Sequence, residues 1–144
     1  SYQRVQLEQA LGGVHVHDLM SSPVVTIPAD TTLQDAAYHY FLNARFTAFG
    51  VEAHGKIIGM VHREQLQAVD RALWPVTTVA EVMSPLDPDS MTIAADEEAV
   101  QALMKMAENE IGRLLVVDWA GQVIGIISQS DIMRLVRMRS ELGI

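Results

Sequence analysis

Apolar residues fall into short β-branched runs that alternate with stretches of helical spacing. The run that ends at Pro28 is typical of a strand, and polar residues 30–32 supply helix-capping side chains ahead of apolar positions that recur with a helical period. An amphipathic helix at residues 3–11, stopped by two glycines, comes before them. The pattern predicts strand, helix, strand, strand and helix at residues 24–27, 33–43, 46–51, 56–61 and 63–72.

The same order of elements occurs twice. Residues recur at a spacing of 66 positions, from Asp30 to Asp96, Ala36 to Ala102, Val51 to Val117, Gly55 to Gly121 and Gly59 to Gly125. Duplication of a unit of about 60 residues explains this spacing. We therefore divide the chain into a lead-in linker helix (1–13), a first repeat (14–72), a joint (73–78) and a second repeat (79–144). The second repeat is predicted to hold a helix at 97–109 and strands at 114–117 and 123–127.

The composition narrows the possible function classes. The formal net charge is −8, and arginines cluster only at Arg134, Arg137 and Arg139, which argues against binding to nucleic acid or an anionic membrane. The chain has no cysteine, which excludes disulfides, thiolate metal ligands and cysteine nucleophiles. No apolar run approaches the roughly 20 residues of a membrane span. We expect a soluble chain.

Residues 125–131 carry the main candidate chemistry. A β-branched run ends in Ser128 and Asp131 follows three residues later, so a strand leads into a helix with Ser128 as its N-cap. The first-turn amides and the helix dipole suit a phosphate, and Asp131 can accept hydrogen bonds from a ribose diol. The same spacing is also a capping box, in which the two residues satisfy each other's backbone amides. The local sequence alone favours the capping box, and the repeat raises the weight of the ligand interpretation.

The duplicated pattern resembles a tandem pair of CBS domains, the Bateman module. The resemblance covers residues 16–139 and is carried by residues 79–85, 112–118 and 125–131, in their expected order. It implies an α+β fold, an α/β sandwich, with two β-α-β-β-α repeats packed about a pseudo-two-fold axis. It also implies a non-catalytic regulatory module that binds an adenosine-containing ligand, AMP, ADP or ATP, in the cleft between the repeats.

The resemblance assigns roles to particular residues. Ser128 is expected to contact phosphate and Asp131 to contact ribose. Arg134 lies on the same helix face as Asp131, so it either pairs with that carboxylate or reaches a phosphate. The rest of the site is expected from the backbone near Met91, Thr92 and Ile93 and near Gly112, Arg113 and Leu114, where apolar walls can enclose an adenine. Thr92 can equally be an ordinary β-branched strand residue.

The first repeat departs from this motif. His62 occupies the hydroxyl position and Gln65 the carboxylate position. A glutamine lacks the charge with which a carboxylate holds two hydroxyls, so we predict at most one good nucleotide site, formed around the second repeat. The alternative function is a ligand-free dimerisation module, in which apolar helix faces pair two copies of a larger protein.

A narrower resemblance concerns the protein to which such a pair is attached. Residues 40–42, 45–49, 77–79 and 83–86, with Trp74, look like the CBS pair appended to site-2-type membrane zinc proteases. It implies a cytoplasmic regulatory domain of a membrane protease, which forms a homodimer through its CBS pairs. The protease motif His-Glu-x-x-His does not occur in the sequence, so no catalytic residue is assigned.

The sequence offers two candidate metal sites. One is a carboxylate-rich patch, which a solvated helix N-terminus explains more simply; it comprises Asp87, Asp89, Asp96, Glu97 and Glu98. The other is a pair of histidines near the start of the first repeat. His15 and His17 are two positions apart and lie on one face if the chain is extended. With no third ligand evident, we assign them no metal. The other histidines are scattered singly, and no catalytic arrangement with Ser128 and Asp131 has a recognisable spacing.

Overall fold

The computed structural model describes residues 2–44 and 46–144. Ser1 and Arg45 lie outside the described residues. Arg45 is one of the residues that carry the narrower resemblance given above. The helices are α1 (Tyr2–Leu11), α2 (Val16–Leu19), α3 (Leu33–Ala36), α4 (Arg63–Gln67), α5 (Val79–Val82), α6 (Pro88–Met91), α7 (Ala99–Asn109) and α8 (Gln129–Leu142). The strands are β1 (Thr26–Pro28), β2 (Ala48–Ala53), β3 (Lys56–His62), β4 (Ser84–Pro85), β5 (Thr92–Ala94), β6 (Arg113–Val117) and β7 (Val123–Ser128).

The predicted elements are present, with four local differences. A π-helical segment, Ala37–Phe41, continues α3, and the helix predicted to run to residue 72 ends at Gln67. A 3-10 helix, Arg71–Val76, then passes through Pro75, whose missing N–H removes a donor from regular helix. The turn α6 was not predicted. Among the described residues, none of the helices combines the length and apolar character needed to cross a bilayer.

The chain forms two compact units. The smaller unit is Val24–Asp87, and the larger unit combines the chain up to Pro23 with Pro88–Ile144. In the smaller unit the sheet order is β1-β2-β3-β4, with β1 parallel to β2 and the other pairs antiparallel. In the larger unit the order is β5-β6-β7, with β5 parallel to β6 and β7 antiparallel to it.

The opening turn of each repeat completes the sheet of the other repeat. Ser84, at the start of the second repeat, pairs with Met60 of β3. Ser21, from the first repeat, exchanges two backbone hydrogen bonds with Ile126 of β7, at 2.8 and 3.0 Å. Because these added segments cover otherwise unpaired strand edges, they satisfy backbone groups that would remain open. The compact units are therefore assembled differently from the sequence repeats.

Each unit has its own apolar core. In the smaller unit the buried side chains include Phe49, Val51 and Val61, and Phe49 makes edge-to-face contact with Phe41 at 4.8 Å between ring centroids. The core of the larger unit contains Leu114, Ile127 and Ile132 together with residues from the start of the chain. Burial of such side chains is the main favourable term in folding.

Helix α1 belongs to the core of the larger unit. Leu11 is 1% exposed within that core, and Leu7 packs against it. The Arg139 guanidinium donates a 2.6 Å hydrogen bond to the carbonyl oxygen of Ala10, which ties the end of α1 to α8. The C-terminal half of α1 therefore packs on the larger unit through Leu7 and Leu11, whereas Val5 in its N-terminal half is 50% exposed.

Gly125 and Gly59 allow the exchanged segments to approach the sheets. A Cβ atom at Gly125 would lie 2.7 Å from the Met20 sulfur and 2.8 Å from the Ser21 carbonyl oxygen. A Cβ atom at Gly59 would lie 2.5 Å from the Ser84 carbonyl oxygen. Backbone atoms cannot yield to such contacts without moving the paired segment, so the repeated glycine marks the place where that segment crosses β7 or β3.

We expect Gly125→Ala to lower the free energy of unfolding by about 1–3 kcal/mol, because the added methyl group overpacks this crossing. Urea unfolding followed by circular dichroism measures the loss. Gly112→Ala is the matched control, since a Cβ atom there meets nothing within 4 Å. Equal stability of the Gly125 variant and the control would contradict the proposed close approach.

Thr78 and Glu81 cap the N-terminus of α5. The Glu81 carboxylate accepts hydrogen bonds from the Thr78 backbone N–H at 2.7 Å and from the Thr78 hydroxyl at 3.1 Å. These bonds, the backbone one foremost, lower the pKa of Glu81. A folded-state pKa below the unfolded-state value means that this contribution to stability is present at neutral pH. It is lost as the pH falls through the folded-state pKa.

We expect the Glu81 carboxyl group to titrate below the ordinary range for glutamate. Side-chain carbon chemical shifts followed by NMR against pH measure its midpoint. Glu81→Gln removes the titrating group while keeping an acceptor, so it should flatten part of the acid dependence of stability. A midpoint within or above the ordinary glutamate range would show that the Thr78 hydrogen bonds do not form in solution.

Candidate functional site

One end of the larger unit's sheet brings the predicted site residues together. Arg113, at the start of β6, pairs with Ser128, at the end of β7. Thr92, at the start of β5, pairs with Leu115, two residues beyond Arg113 on β6. Because β5 and β6 are parallel and β7 is antiparallel to them, two strand starts, one strand end and the N-terminus of α8 share this end. The carboxylate of Asp131 lies in the first turn of α8.

Ser128 and Asp131 form a reciprocal capping box. The Asp131 N–H donates to the Ser128 hydroxyl oxygen at 3.1 Å, and the Ser128 N–H donates to Asp131 Oδ2 at 3.0 Å. Ser128 has extended backbone angles, φ −114° and ψ 157°, as an N-cap requires. The capping interpretation is therefore what the structure shows for these side chains, and any role with a ligand is additional to it.

The second oxygen of Asp131 faces Arg134. Arg134 Nη1 lies 3.4 Å from Asp131 Oδ1, and the arginine side chain is 64% exposed while the aspartate side chain is 23% exposed. Of the two roles predicted for Arg134, the structure shows the ion pair. An exposed pair of this kind contributes about 0–1 kcal/mol. Breaking this ion pair, so that Oδ1 can accept a hydrogen bond from a hydroxyl group, therefore costs little free energy.

The remaining predicted residues frame this end mainly through their backbone. Leu114 is fully buried and Ile93 is 7% exposed, so their side chains belong to the core. The Gly112 carbonyl accepts a 2.8 Å hydrogen bond from the N–H of Gln129, which anchors the start of α8 against the loop before β6. Met91 is the last residue of α6 and is partly buried. A ligand at this end of the sheet would therefore contact main-chain groups of these segments.

Both the hydroxyl and the carbonyl group of Thr92 already form hydrogen bonds within the larger unit. Its hydroxyl donates to the Pro88 carbonyl oxygen at 2.7 Å, and its own carbonyl accepts a 2.6 Å hydrogen bond from the Lys105 ammonium. A cavity of about 570 Å³ lies beside it, with Asp89, Glu97 and Lys105 among its lining residues. Ser128 and Asp131 do not line that cavity, so the structure separates it from the capping box.

The corresponding box in the smaller unit has different chemistry. The His62 N–H donates to Gln65 Oε1 at 2.7 Å, and Gln65 Nε2 donates to the Ser84 hydroxyl at 3.0 Å. Both ends of the Gln65 amide are thus committed to the fold, and the group is neutral. Asp131, in contrast, is anionic: its Oδ2 accepts from the Ser128 N–H, and its Oδ1 lies 3.4 Å from the exposed Arg134 guanidinium.

The structure adds one residue that the sequence analysis missed. Asp18 lies beside His15 and His17, and the possible ligand atoms of the three side chains are within 4.8 Å of one another. The signal was present in the sequence, because Asp18 stands three residues after His15, the capping-box spacing that carries a carboxylate back to the N-cap.

Both halves of the chain match one protein family. The CBS domain profile matches residues 16–70 and again residues 79–137. The chain belongs to the CBS domain family. Two tandem matches make it a CBS pair, which confirms the family and the mixed α/β fold class predicted from the repeated motifs.

This CBS pair is similar in sequence to part of a putative zinc metalloprotease. It is 30% identical over 135 residues to the putative zinc metalloprotease Rip3 of Mycobacterium tuberculosis. The match covers 92% of this chain and 34% of Rip3. The chain therefore spans about a third of the length of that relative.

Solved structures share the fold. The CBS domain of the bacterial CNNM/CorC family Mg²⁺ transporter in complex with ATP gives a TM-score of 0.78 at 18% identity, covering 94% of this chain and 96% of that one. CBSX2 in complex with AMP gives a TM-score of 0.72 at 21% identity, covering 89% and 99%. At these identities the likeness establishes the architecture of the CBS pair.

We expect Ser128→Ala to destabilise the protein by about 1 kcal/mol, because the N-cap acceptor for the Asp131 amide is lost. Thermal or urea unfolding measures the change. Ser130→Ala is the control, since Ser130 is exposed on the same helical turn and should change stability by less than about 0.5 kcal/mol. Similar losses in both variants would argue against a specific capping role for Ser128.

Proposed function

We propose that this CBS pair is a non-catalytic sensor that binds an adenine nucleotide, AMP, ADP or ATP, at the Ser128–Asp131 end of the larger unit. The observation that carries the proposal is the convergence of the α8 N-terminus and the Asp131 carboxylate with the starts of β5 and β6. Relatives of the same fold that hold ATP and AMP support the choice of ligand class.

Asp131 is the proposed ribose acceptor. Its Oδ2 keeps the cap with the Ser128 N–H, while its Oδ1 exchanges the exposed Arg134 guanidinium for ribose hydroxyls. Arg134 is then free to turn towards a phosphate. Hydrogen bonds to a charged group contribute about 1.5–3 kcal/mol each, more than the roughly 0–1 kcal/mol of the ion pair that is given up.

The phosphate is proposed to lie at the start of α8. The helix dipole and the first-turn amides favour an anion there, although the Gln129 N–H already donates to Gly112 and the Asp131 N–H to Ser128. A bound phosphate therefore meets the Ser128 hydroxyl, which can donate its own proton to a phosphate oxygen while it accepts from Asp131. Main-chain groups of residues 91–93 and 112–114 are proposed to read the adenine edge.

We further propose that this CBS pair is attached to a membrane zinc metalloprotease and regulates it. The attachment is supported by the match to Rip3 over the length of this chain. Helix α1 offers the mechanical connection, because it is tied to α8 through Arg139 and Ala10, and the nucleotide is proposed to bind at the other end of α8. A ligand that binds one arrangement of α8 and α1 more tightly than another shifts the conformational equilibrium of a domain attached before α1.

Isothermal titration calorimetry with AMP, ADP and ATP tests the site. We expect saturable binding to the wild type, and Asp131→Ala should weaken it by about 10- to 100-fold, as expected for lost hydrogen bonds to a carboxylate. Asp131→Asn keeps a capping acceptor and should also bind more weakly. Gln65→Ala is the matched control in the other repeat and should bind as the wild type does.

Binding that is unchanged in both Asp131 variants would contradict the site. Absence of binding to any of the three nucleotides would favour the other candidate, a ligand-free homodimerisation module. The observation behind that candidate is an apolar groove of about 570 Å³ in the larger unit, whose lining includes Leu103, Ala107, Ile111 and Met133. Sedimentation velocity at several concentrations then distinguishes a dimeriser, which responds to protein concentration and not to nucleotide.

A further inference from the structure

The turn around α2 presents three potential metal ligands on one surface. His17 Nδ1 lies 3.2 Å from Asp18 Oδ1, and His15 Nδ1 lies 3.8 Å from Asp18 Oδ2. The two imidazole rings are stacked, 2° from parallel with centroids 5.4 Å apart. Both Nδ1 atoms thus lie close to the same carboxylate. The three side chains are 41–51% exposed, which leaves the group open to solvent ions.

These separations suit a small divalent ion. Zinc bonds to histidine nitrogen and carboxylate oxygen are about 2.0–2.2 Å, which places tetrahedral ligand atoms about 3.4 Å apart. His17 Nδ1 lies 3.2 Å from one Asp18 oxygen and His15 Nδ1 lies 3.8 Å from the other, and one ligand atom from each residue lies within 4.8 Å of the other two. Because the planes of two stacked rings do not meet at one ion, at least one imidazole must turn for both histidines to face the metal, and the exposure of both side chains leaves room for that rotation.

The backbone that carries the cluster is held firmly. The N–H groups of Val16 and His17 donate to the carbonyl oxygens of Glu97 and Ala95, at 2.8 and 3.0 Å. His15 itself forms an antiparallel bridge with Glu98. Asp18 is fixed from its own side by the 2.8 Å hydrogen bond that its Oδ2 accepts from the His15 N–H. A scaffold fixed in this way lowers the entropic cost of gathering the ligands.

The equivalent turn of the other repeat provides an internal comparison. Thr78 and Glu81 form the same capping box at α5, and residue 80 between them is alanine. The capping geometry therefore requires neither imidazole. Both histidines are additions to a turn that folds without them, so their convergence on Asp18 calls for another explanation than capping.

We propose that His15, His17 and Asp18 form a binding site for a divalent transition-metal ion, with zinc as the first choice. Two imidazoles and one carboxylate suit zinc, nickel, cobalt or copper, whereas magnesium and calcium prefer all-oxygen sites. Three protein ligands leave at least one position for water or for a ligand from another molecule. The site is independent of the nucleotide proposal and lies on a different part of the larger unit.

The test uses the whole chain without a polyhistidine tag, in buffer free of nucleotide, because both would bind the same ions. Zinc is titrated by calorimetry, and cobalt by its visible absorption bands, which report the coordination geometry. The key variant, His15→Thr with His17→Ala, copies the side chains of the equivalent turn at α5 and therefore should fold. His39→Ala is the control, since His39 is also exposed and lies 3.9 Å from a carboxylate, that of Asp35.

We expect one zinc ion per chain, bound more tightly than magnesium, with an increase in the unfolding temperature as zinc is added. The double variant should lose more than about tenfold in affinity, since loss of even a residue that supports a ligand costs 10- to 100-fold. His39→Ala should bind as the wild type does. Asp18→Asn, which keeps a capping acceptor, should also bind zinc more weakly.

Two results would overturn the site. One is the absence of saturable zinc binding to the wild type, which would leave His17 and Asp18 as an ordinary surface contact. The other is equal zinc affinity in the wild type and the double variant, which would place the ion elsewhere. Circular dichroism of each variant confirms that an altered affinity does not come from an altered fold.

Discussion

The backbone pairing of Ser21 with Ile126 is the constraint on which the larger unit depends. It requires a glycine at position 125, where the Met20 side chain and the Ser21 carbonyl pass too close for a Cβ atom. This one crossing covers the edge of β7 and carries the α2 turn onto the unit that holds the Ser128–Asp131 box. The same device, with Gly59 and Ser84, completes the sheet of the smaller unit.

Four capping boxes show how one local geometry serves different chemistry. All four boxes share the three-residue spacing and a hydrogen bond from the N-cap N–H to the side chain three residues later, and Ser128 also accepts from the Asp131 N–H. The pairs are His15 with Asp18, His62 with Gln65, Thr78 with Glu81 and Ser128 with Asp131. What differs is the chemistry left over after capping. The Gln65 amide also donates to the Ser84 hydroxyl, whereas the Oδ1 atom of Asp131 lies 3.4 Å from an exposed arginine. Capping therefore leaves an anionic acceptor at the Ser128–Asp131 box and a neutral, doubly hydrogen-bonded amide at the His62–Gln65 box.

Function in this CBS pair is accordingly expected to be asymmetric. The repeats are equivalent in fold, but at the helix that follows the last strand of each repeat only the second has a hydroxyl N-cap with an anionic side chain three residues later, where the first has His62 and Gln65. The first repeat instead contributes its opening turn, with two histidines and Asp18, to the same larger unit. Duplication has thus produced two copies of a scaffold whose distinctive side chains gather on one of its two compact units.

The sequence by itself determined the repeat, the family, the order of strands and helices, and the residues that cap α3 and α8. These features rest on local periodicity and on contacts three residues apart, which a sequence pattern records directly. Only the tertiary structure decided that α1 is packed, that the Leu114 side chain lies in the core, and which sheet receives each opening turn. Pairing at a strand edge uses backbone N–H and C=O groups, which every residue type except proline supplies in full. The sequence therefore indicates this pairing only through the glycine that is needed where the added segment approaches the strand.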